Sequence, residues 1–153
     1  YLVAGYSAAL GFGVIFAGAM ALATKVAFGV AWGDPLAWAA LTLASAAGVA
    51  SISFLIVAML PPTPKAVDNA GSTLFIILAM MGGSTVPVSV LPGWFVDAFA
   101  WLPNRIALDG YFAIAAGGGL ADVASNIWQL LAAAAFLLAA GWSASALRAK
   151  GEA

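Results

Sequence analysis

PLAWAALTLASAAGVASISFLIVAMLPPTP, residues 35–64, runs for thirty residues between Asp34 and Lys65 without a charge. A bilayer core about 30 Å thick is crossed by roughly 20 mostly apolar helical residues, so this stretch is long enough to span it. Residues 1–24, 69–96 and 123–147 are likewise uncharged. A lone charge at the centre of a crossing costs about 3 kcal/mol, which is why lipid, and not water, selects for such runs. The chain therefore reads as an all-α, polytopic transmembrane helix bundle. It has four crossings, with a short broken outer helical hairpin between the last two. We expect a single transmembrane domain over residues 1–153, with spans at about 5–32, 36–60, 71–88 and 123–147 and the hairpin at about 92–116.

Composition narrows the function. The chain is 65% hydrophobic and 7% charged, whereas soluble domains carry roughly 25% charged residues. At 153 residues it has no room for a separate soluble catalytic domain. The net charge of −1 comes with no basic patch, so no nucleic acid is expected as a partner. With no Cys and no His, a thiolate nucleophile, a zinc–thiolate site and a Ser–His pair are all excluded. No phosphate-binding G-x-x-x-x-G-K-[ST] occurs; Gly117, Gly118 and Gly119 are not followed by Lys. The crossings hold no acid to relay protons. We expect no catalytic, cofactor-binding or metal-binding residues. Asp97 and Asp109 are the nearest thing to a hydrolytic carboxylate pair, and the plainer reading is that they are solvated or paired with Arg105. The first run lacks a basic n-region, so it is not read as a signal peptide. Because the chain opens at Tyr1 within apolar sequence, it reads as part of a longer protein.

Punctuation along the chain sets the turns. Gly33, Asp34 and Pro35 make a tight turn into the second crossing. On that crossing Ala40, Ala44 and Gly48 recur every fourth residue and share a face of small residues, the kind on which lipid-embedded helices pack. Pro61, Pro62 and Pro64 end it, and Lys65, Asp68 and Asn69 are expected to form a polar loop. Gly82, Gly83 and Pro87 weaken the end of the third crossing, as a hinge or as a plain turn. Pro92, Pro103 and the three glycines then cut residues 88–121 into pieces of about ten residues, too short to cross. Trp94, Phe95, Phe99 and Trp101 suit a membrane interface. We read two short helices there, about 92–102 and 104–115. Lys25, near the end of the first crossing, either snorkels to the interface or lines a path. Lys65, Arg148 and Lys150 fall on one side, which the positive-inside rule assigns to the cytoplasm. The hairpin then faces outward, and the C-terminus is cytoplasmic in a multi-pass cell-membrane protein.

The stretch from Gly82-Gly83-Ser84-Thr85-Val86-Pro87, through Leu91-Pro92-Gly93-Trp94-Phe95, to Leu102-Pro103-Asn104-Arg105 and Asp109-Gly110 resembles the C-terminal half of ABC-2 type transporter permeases. The resemblance is specific from Gly82 to Gly110 and extends as hydropathy to about residues 5–150. It implies that the four crossings are the family's third to sixth, and that Gly82, Gly83, Pro87, Pro92, Trp94, Pro103 and Asn104 form an outer hairpin and gate. It implies an exporter subunit working with a cytoplasmic ABC ATPase and a second permease subunit, as a homodimer or heterodimer. ATP hydrolysis would then belong to the partner. The alternative is a non-transporting membrane scaffold or assembly subunit, which the small-residue faces and interfacial aromatics would serve equally well.

Overall fold

A computed structural model describes residues 2–60 and 63–151, with side chains except at residues 2, 64 and 149–151. The described residues form six α-helices and one 3-10 turn, with no strand. In chain order they are α1 (Leu2–Phe28), α2 (Pro35–Met59), α3 (Pro64–Met81), the 3-10 turn Val88–Val90, α4 (Gly93–Ala98), α5 (Pro103–Ala115) and α6 (Ala124–Gly151). Among the described residues three helices are long and apolar enough to cross a membrane: Val3–Phe28, Pro35–Met59 and Ala124–Arg148. The architecture is a helical membrane bundle.

Helix α2 is its axis. Asp34 starts it: one carboxylate oxygen accepts from the Leu36 N–H at 2.8 Å and the Ala37 N–H at 3.4 Å. Pro35 sits in the first turn, where a missing N–H costs nothing. Ala37, Leu41, Ala44, Ala46, Ala50, Phe54 and Ala58 are buried along its length. It packs on α1, α5 and α6, and less closely on α3. The tightest core joins Ala37, Leu41 and Ala44 to Ile106, Ala107 and Ile114 of α5 and to Val123 and Leu130. That places it at the N-terminal half of α2.

The pairings fix the relative directions. Gly110 of α5 sits against Leu41 and Asn126, and Gly141 of α6 against Phe54 and Leu55. Arg148 reaches the carbonyls of Ala58 and Leu60. So α6 runs parallel to α2. Helix α3 is antiparallel: Val67, Asp68, Gly71 and Ser72 face Ser53, Ile56 and Val57, while Leu78 and Ala79 face Ser45, Val49 and Ile52.

Several boundaries differ from the sequence reading. Helix α1 ends at Phe28, short of residue 32, and Trp32 folds back so that its indole N–H donates to the Ala21 carbonyl and the Thr24 hydroxyl, both at 3.1 Å. Helix α3 spans Pro64–Met81, not 71–88. Pro64 suits a first turn, so Lys65, Asp68 and Asn69 are helical and not a loop. Gly82 then caps the helix before Pro87 is reached. Pro61 and Pro62 lie outside the described residues. The short helices are Gly93–Ala98 and Pro103–Ala115, joined by a turn over residues 99–102.

Large apolar side chains face outward along the bundle: Phe12 and Phe16 on α1, Trp128, Phe136 and Trp142 on α6. Water would penalise such a surface, and hydrocarbon does not. Lys25 is exposed on the last turn of α1, where its charge faces the negative end of the helix dipole. Arg148 serves the same purpose for α2, its guanidinium donating to the Ala58 carbonyl at 3.4 Å and to that of Leu60. Leu60 is followed by two prolines that bring no N–H of their own. Replacing Arg148 by Ala is expected to cost about 1–2 kcal/mol, seen as a lower unfolding temperature in detergent.

Candidate functional site

The chain doubles back after α3, and the return is where the sequence motifs meet. The Gly82 N–H closes α3 on the Leu78 carbonyl at 2.9 Å, and the Ser84 and Thr85 N–H groups both reach the Ala79 carbonyl, at 3.0 and 3.3 Å. Gly83 takes φ +80° to make this turn, and a Cβ there would stand 2.6 Å from the Val88 side chain. That backbone region is open to glycine at little cost. Asn104, in the first turn of α5, donates its amide to the Leu78 carbonyl. Its side chain fills the space where a Cβ on Gly82 would stand. Gly82 is buried for that reason. Gly82, Gly83, Pro103 and Asn104 are thus brought together as a latch between α3 and α5.

The other motif residues are elsewhere. Pro87 leads into the 3-10 turn and Pro92 into α4, and both are exposed. Trp94 is exposed on α4, edge-on to Phe95 at 5.7 Å; the Phe95 ring in turn lies 4.7 Å from that of Phe99, tilted by 60°. On α2, Ala44 and Gly48 are buried and Ala40 half-buried. A Cβ on Gly48 would meet no neighbouring helix within 4 Å. The close approaches involve glycines of the neighbouring helices: Gly13 of α1 against Ala46, and Gly141 of α6 against Phe54.

From its latch α5 climbs beside α2 toward the turn between α1 and α2. Asn104 lines a cavity with Ser45 and Val49, Tyr111 bonds Thr42 at 2.9 Å, and Ile114 lies against Gly33. Ser45 is ten residues into α2, so α5 begins roughly 15 Å below the top of that helix. The second helix of the hairpin therefore starts within the bundle. The Asn126 amide donates to the Ile106 carbonyl at 2.9 Å and ties it to α6. Trp32, Trp38 and Tyr111 follow one another at 6.5 Å between ring centres, linking the turn between α1 and α2 to α5. Arg105 and Asp109 pair on one face of α5 at 2.9 Å. Loss of the Tyr111 hydroxyl in Tyr111→Phe strands the buried Thr42 hydroxyl and is expected to cost about 1 kcal/mol, read by thermal unfolding in detergent.

Below the hairpin lies a cavity of about 440 Å³ lined by α2, α3 and α5, with Ser45, Ile52, Phe75, Ala79, Asn104 and Tyr111 among its walls. A second, about 660 Å³, opens nearer the start of α3 beside Asp68, Ser53 and Ser72. Phe75 borders both. The sequence reading did not single out Phe75, Tyr111 or Asn126, and it used Arg148 for its charge alone, not as a cap for α2. Asn126 was the most visible of them, as an amide at the start of an apolar run. Among the described residues no cluster of acids forms that would hold a metal ion.

No family model matches the chain, and no solved structure matches it. Among curated proteins it is similar to the linearmycin resistance permease protein LnrN of Bacillus subtilis strain 168, with 32% identity over 128 residues. The match takes in 83% of this chain but 33% of that protein, so the chain spans about a third of its relative's length. A membrane helical bundle thus has a resistance permease as its relative.

Proposed function

We propose that the chain is the C-terminal part of a permease subunit of an ATP-driven ABC-2 type exporter, in which α1, α2, α3 and α6 are four crossings and the hairpin is the outer barrier. The likeness to a resistance permease over most of the chain is the observation that carries this reading. The fold supports the fourth crossing. Helices α2 and α6 run parallel, so the chain returns through the bundle between them, α3 covering the first part of that return and α5 about the last 15 Å. The eighteen residues of α3 are about 27 Å long, close to the hydrocarbon thickness. Its charged residues, Lys65 and Asp68, lie in the first two turns, where they reach the interface.

Lys65, Arg148 and Lys150 then face the cytoplasm. The hairpin caps the path on the outer side, held by the latch of Asn104 on α3. A cytoplasmic ATPase would hydrolyse ATP and drive the permease, paired with a second permease subunit, between its inward- and outward-facing states. The relative's name points to cargo whose removal protects the cell. Nothing in this chain would perform the hydrolysis.

The test is efflux. Cells producing the full-length permease with an ATPase encoded beside it should expel a fluorescent amphiphile in an ATP-dependent way, and the two proteins should purify as one complex. Efflux undiminished when the ATPase is omitted would contradict the proposal, and so would a permease that recruits no ATPase. The second result would favour a membrane scaffold.

A further inference from the structure

We propose that the face of α5 carrying Arg105 and Asp109 lines a water-filled recess, which enters the membrane from the end of the bundle that holds the α1–α2 turn and admits small hydrophilic solutes. The inference rests on the bundle's lying in a bilayer and not on the permease reading. It is tested by water access, which needs no transport.

Three observations carry it. The first is depth. Asn104 shares a cavity wall with Ser45, and Gly110 lies against Leu41. Arg105 and Asp109 fall between Asn104 and Gly110, so they stand level with residues 41–45 of α2, about 9–15 Å below the start of that crossing. Apolar side chains are exposed further out on both helices, Leu36 on α2 and Phe112 on α5, so hydrocarbon extends past the level of the pair. The second is charge. The Arg105 Nε–H donates to the Asp109 carboxylate at 2.9 Å. One such bond replaces little of the hydration that two charges lose in lipid, and intramembrane charges accordingly face a bundle interior or water. This pair does not face the interior. The core side of α5 is Ile106, Gly110 and Ile114, its cavity side holds Asn104, Leu108 and Tyr111, and the Asp109 side chain is 44% exposed. The third is the neighbouring turn. An Arg105 terminal nitrogen stands 3.6 Å from where a Cβ on Gly83 would be. Ser84 and Thr85 follow in that turn, both exposed. Hydroxyl groups thus border the pair where contact with lipid would favour apolar side chains.

The chain has no native cysteine, so the reactivity of introduced thiols reads water access. Asp109→Cys probes the recess. Leu43→Cys lies at the same depth, between Leu41 and Ser45, and probes an exposed apolar surface. Membranes carrying the full-length variants are opened so that both sides meet the reagent. They are labelled with the sulfonatoethyl or the trimethylammonioethyl methanethiosulfonate, the unsubstituted protein serving as blank. Asp109→Cys is expected to react about a hundredfold faster than Leu43→Cys, because an apolar environment that raises a thiol pKa by about two units removes that much thiolate. With its partner gone, Arg105 should favour the sulfonate over the ammonium reagent by about tenfold relative to a free thiol. Adding Arg105→Gln should remove that preference. Should Asp109→Cys fail to accumulate, Thr85→Cys is compared with Leu43→Cys in its place, with the same expected excess.

A probe thiol no faster than Leu43→Cys would overturn the proposal, because lipid or a second subunit would then cover this face of α5. A Leu43→Cys thiol that reacts as fast as the probe would place this level of the bundle outside the hydrocarbon, and would also overturn it. A charge preference that survives Arg105→Gln does the same, since the thiol would then not lie beside Arg105. Failure here alongside ATP-driven efflux leaves the permease reading intact. A reactive recess without efflux sinks that reading and not this one.

Discussion

Gly82→Leu is expected to release the hairpin from the end of α3. The side chain of Asn104 occupies the position a Cβ would take, and the peptide of Gly82 also closes the helix. Neither partner can yield. Moving Asn104 breaks its bond to the Leu78 carbonyl and strands a buried amide, while moving Gly82 disturbs the cap. Overpacking costs about 1–3 kcal/mol, and the lost hydrogen bond adds about 1 kcal/mol more. We expect a loss near 3 kcal/mol, a sharply lower unfolding temperature in detergent, and faster proteolysis within residues 83–102. The paired variant Asn104→Ala in the Gly82→Leu background should recover part of the loss, because it removes the colliding group. No recovery would mean that Gly82 is needed for something other than this contact.

The second large effect is at Leu41. This side chain is fully buried, and its methyl groups lie against Gly110 of α5. In a lipid solvent burial itself supplies little drive, so helices are held by close contact and hydrogen bonds. Leu41→Ala removes the contact that seats α5 on α2 and leaves a cavity, for an expected loss of about 2–4 kcal/mol. Detergent unfolding of Leu41→Ala against Leu43→Ala checks it. Leu43 is 52% exposed, so its truncation should shift stability by less than about 0.5 kcal/mol. Equal effects at the two positions would show that the α2–α5 contact does not bind the bundle together.

The membrane character of the chain was legible because hydropathy is written residue by residue, and thirty uncharged residues admit few other readings. The two short helices were legible too, since Pro92 stands just before one and Pro103 opens the other, positions that a helix leaves to Pro. The same rule, missed at Pro64, explains the misplaced start of α3: three clustered prolines looked like a loop, yet the last of them opens a helix. The small-residue face of α2 identified buried positions at Ala44 and Gly48. It did not identify the close approaches to α2, which fall at Ala46 and Phe54, because those depend on where Gly13 and Gly141 lie on other helices. The latch was visible as two motifs, Gly82-Gly83 and Pro103-Asn104. That they touch is a long-range fact with no local signature. Phe75 looked like one more apolar residue in an apolar helix, and only the spacing between α2 and α3 singles it out.

The proposed topology requires α3 to carry the chain across the membrane to an outward-facing hairpin. In intact cells, a membrane-impermeant maleimide applied to Ser89→Cys and Lys65→Cys variants of the otherwise cysteine-free chain decides the point. With four crossings the two positions lie on opposite sides. Ser89→Cys should then label in intact cells, and Lys65→Cys only after the membrane is opened. Labelling of both positions from the same side would mean that α3 does not cross, and the hairpin would not be the outer barrier described here.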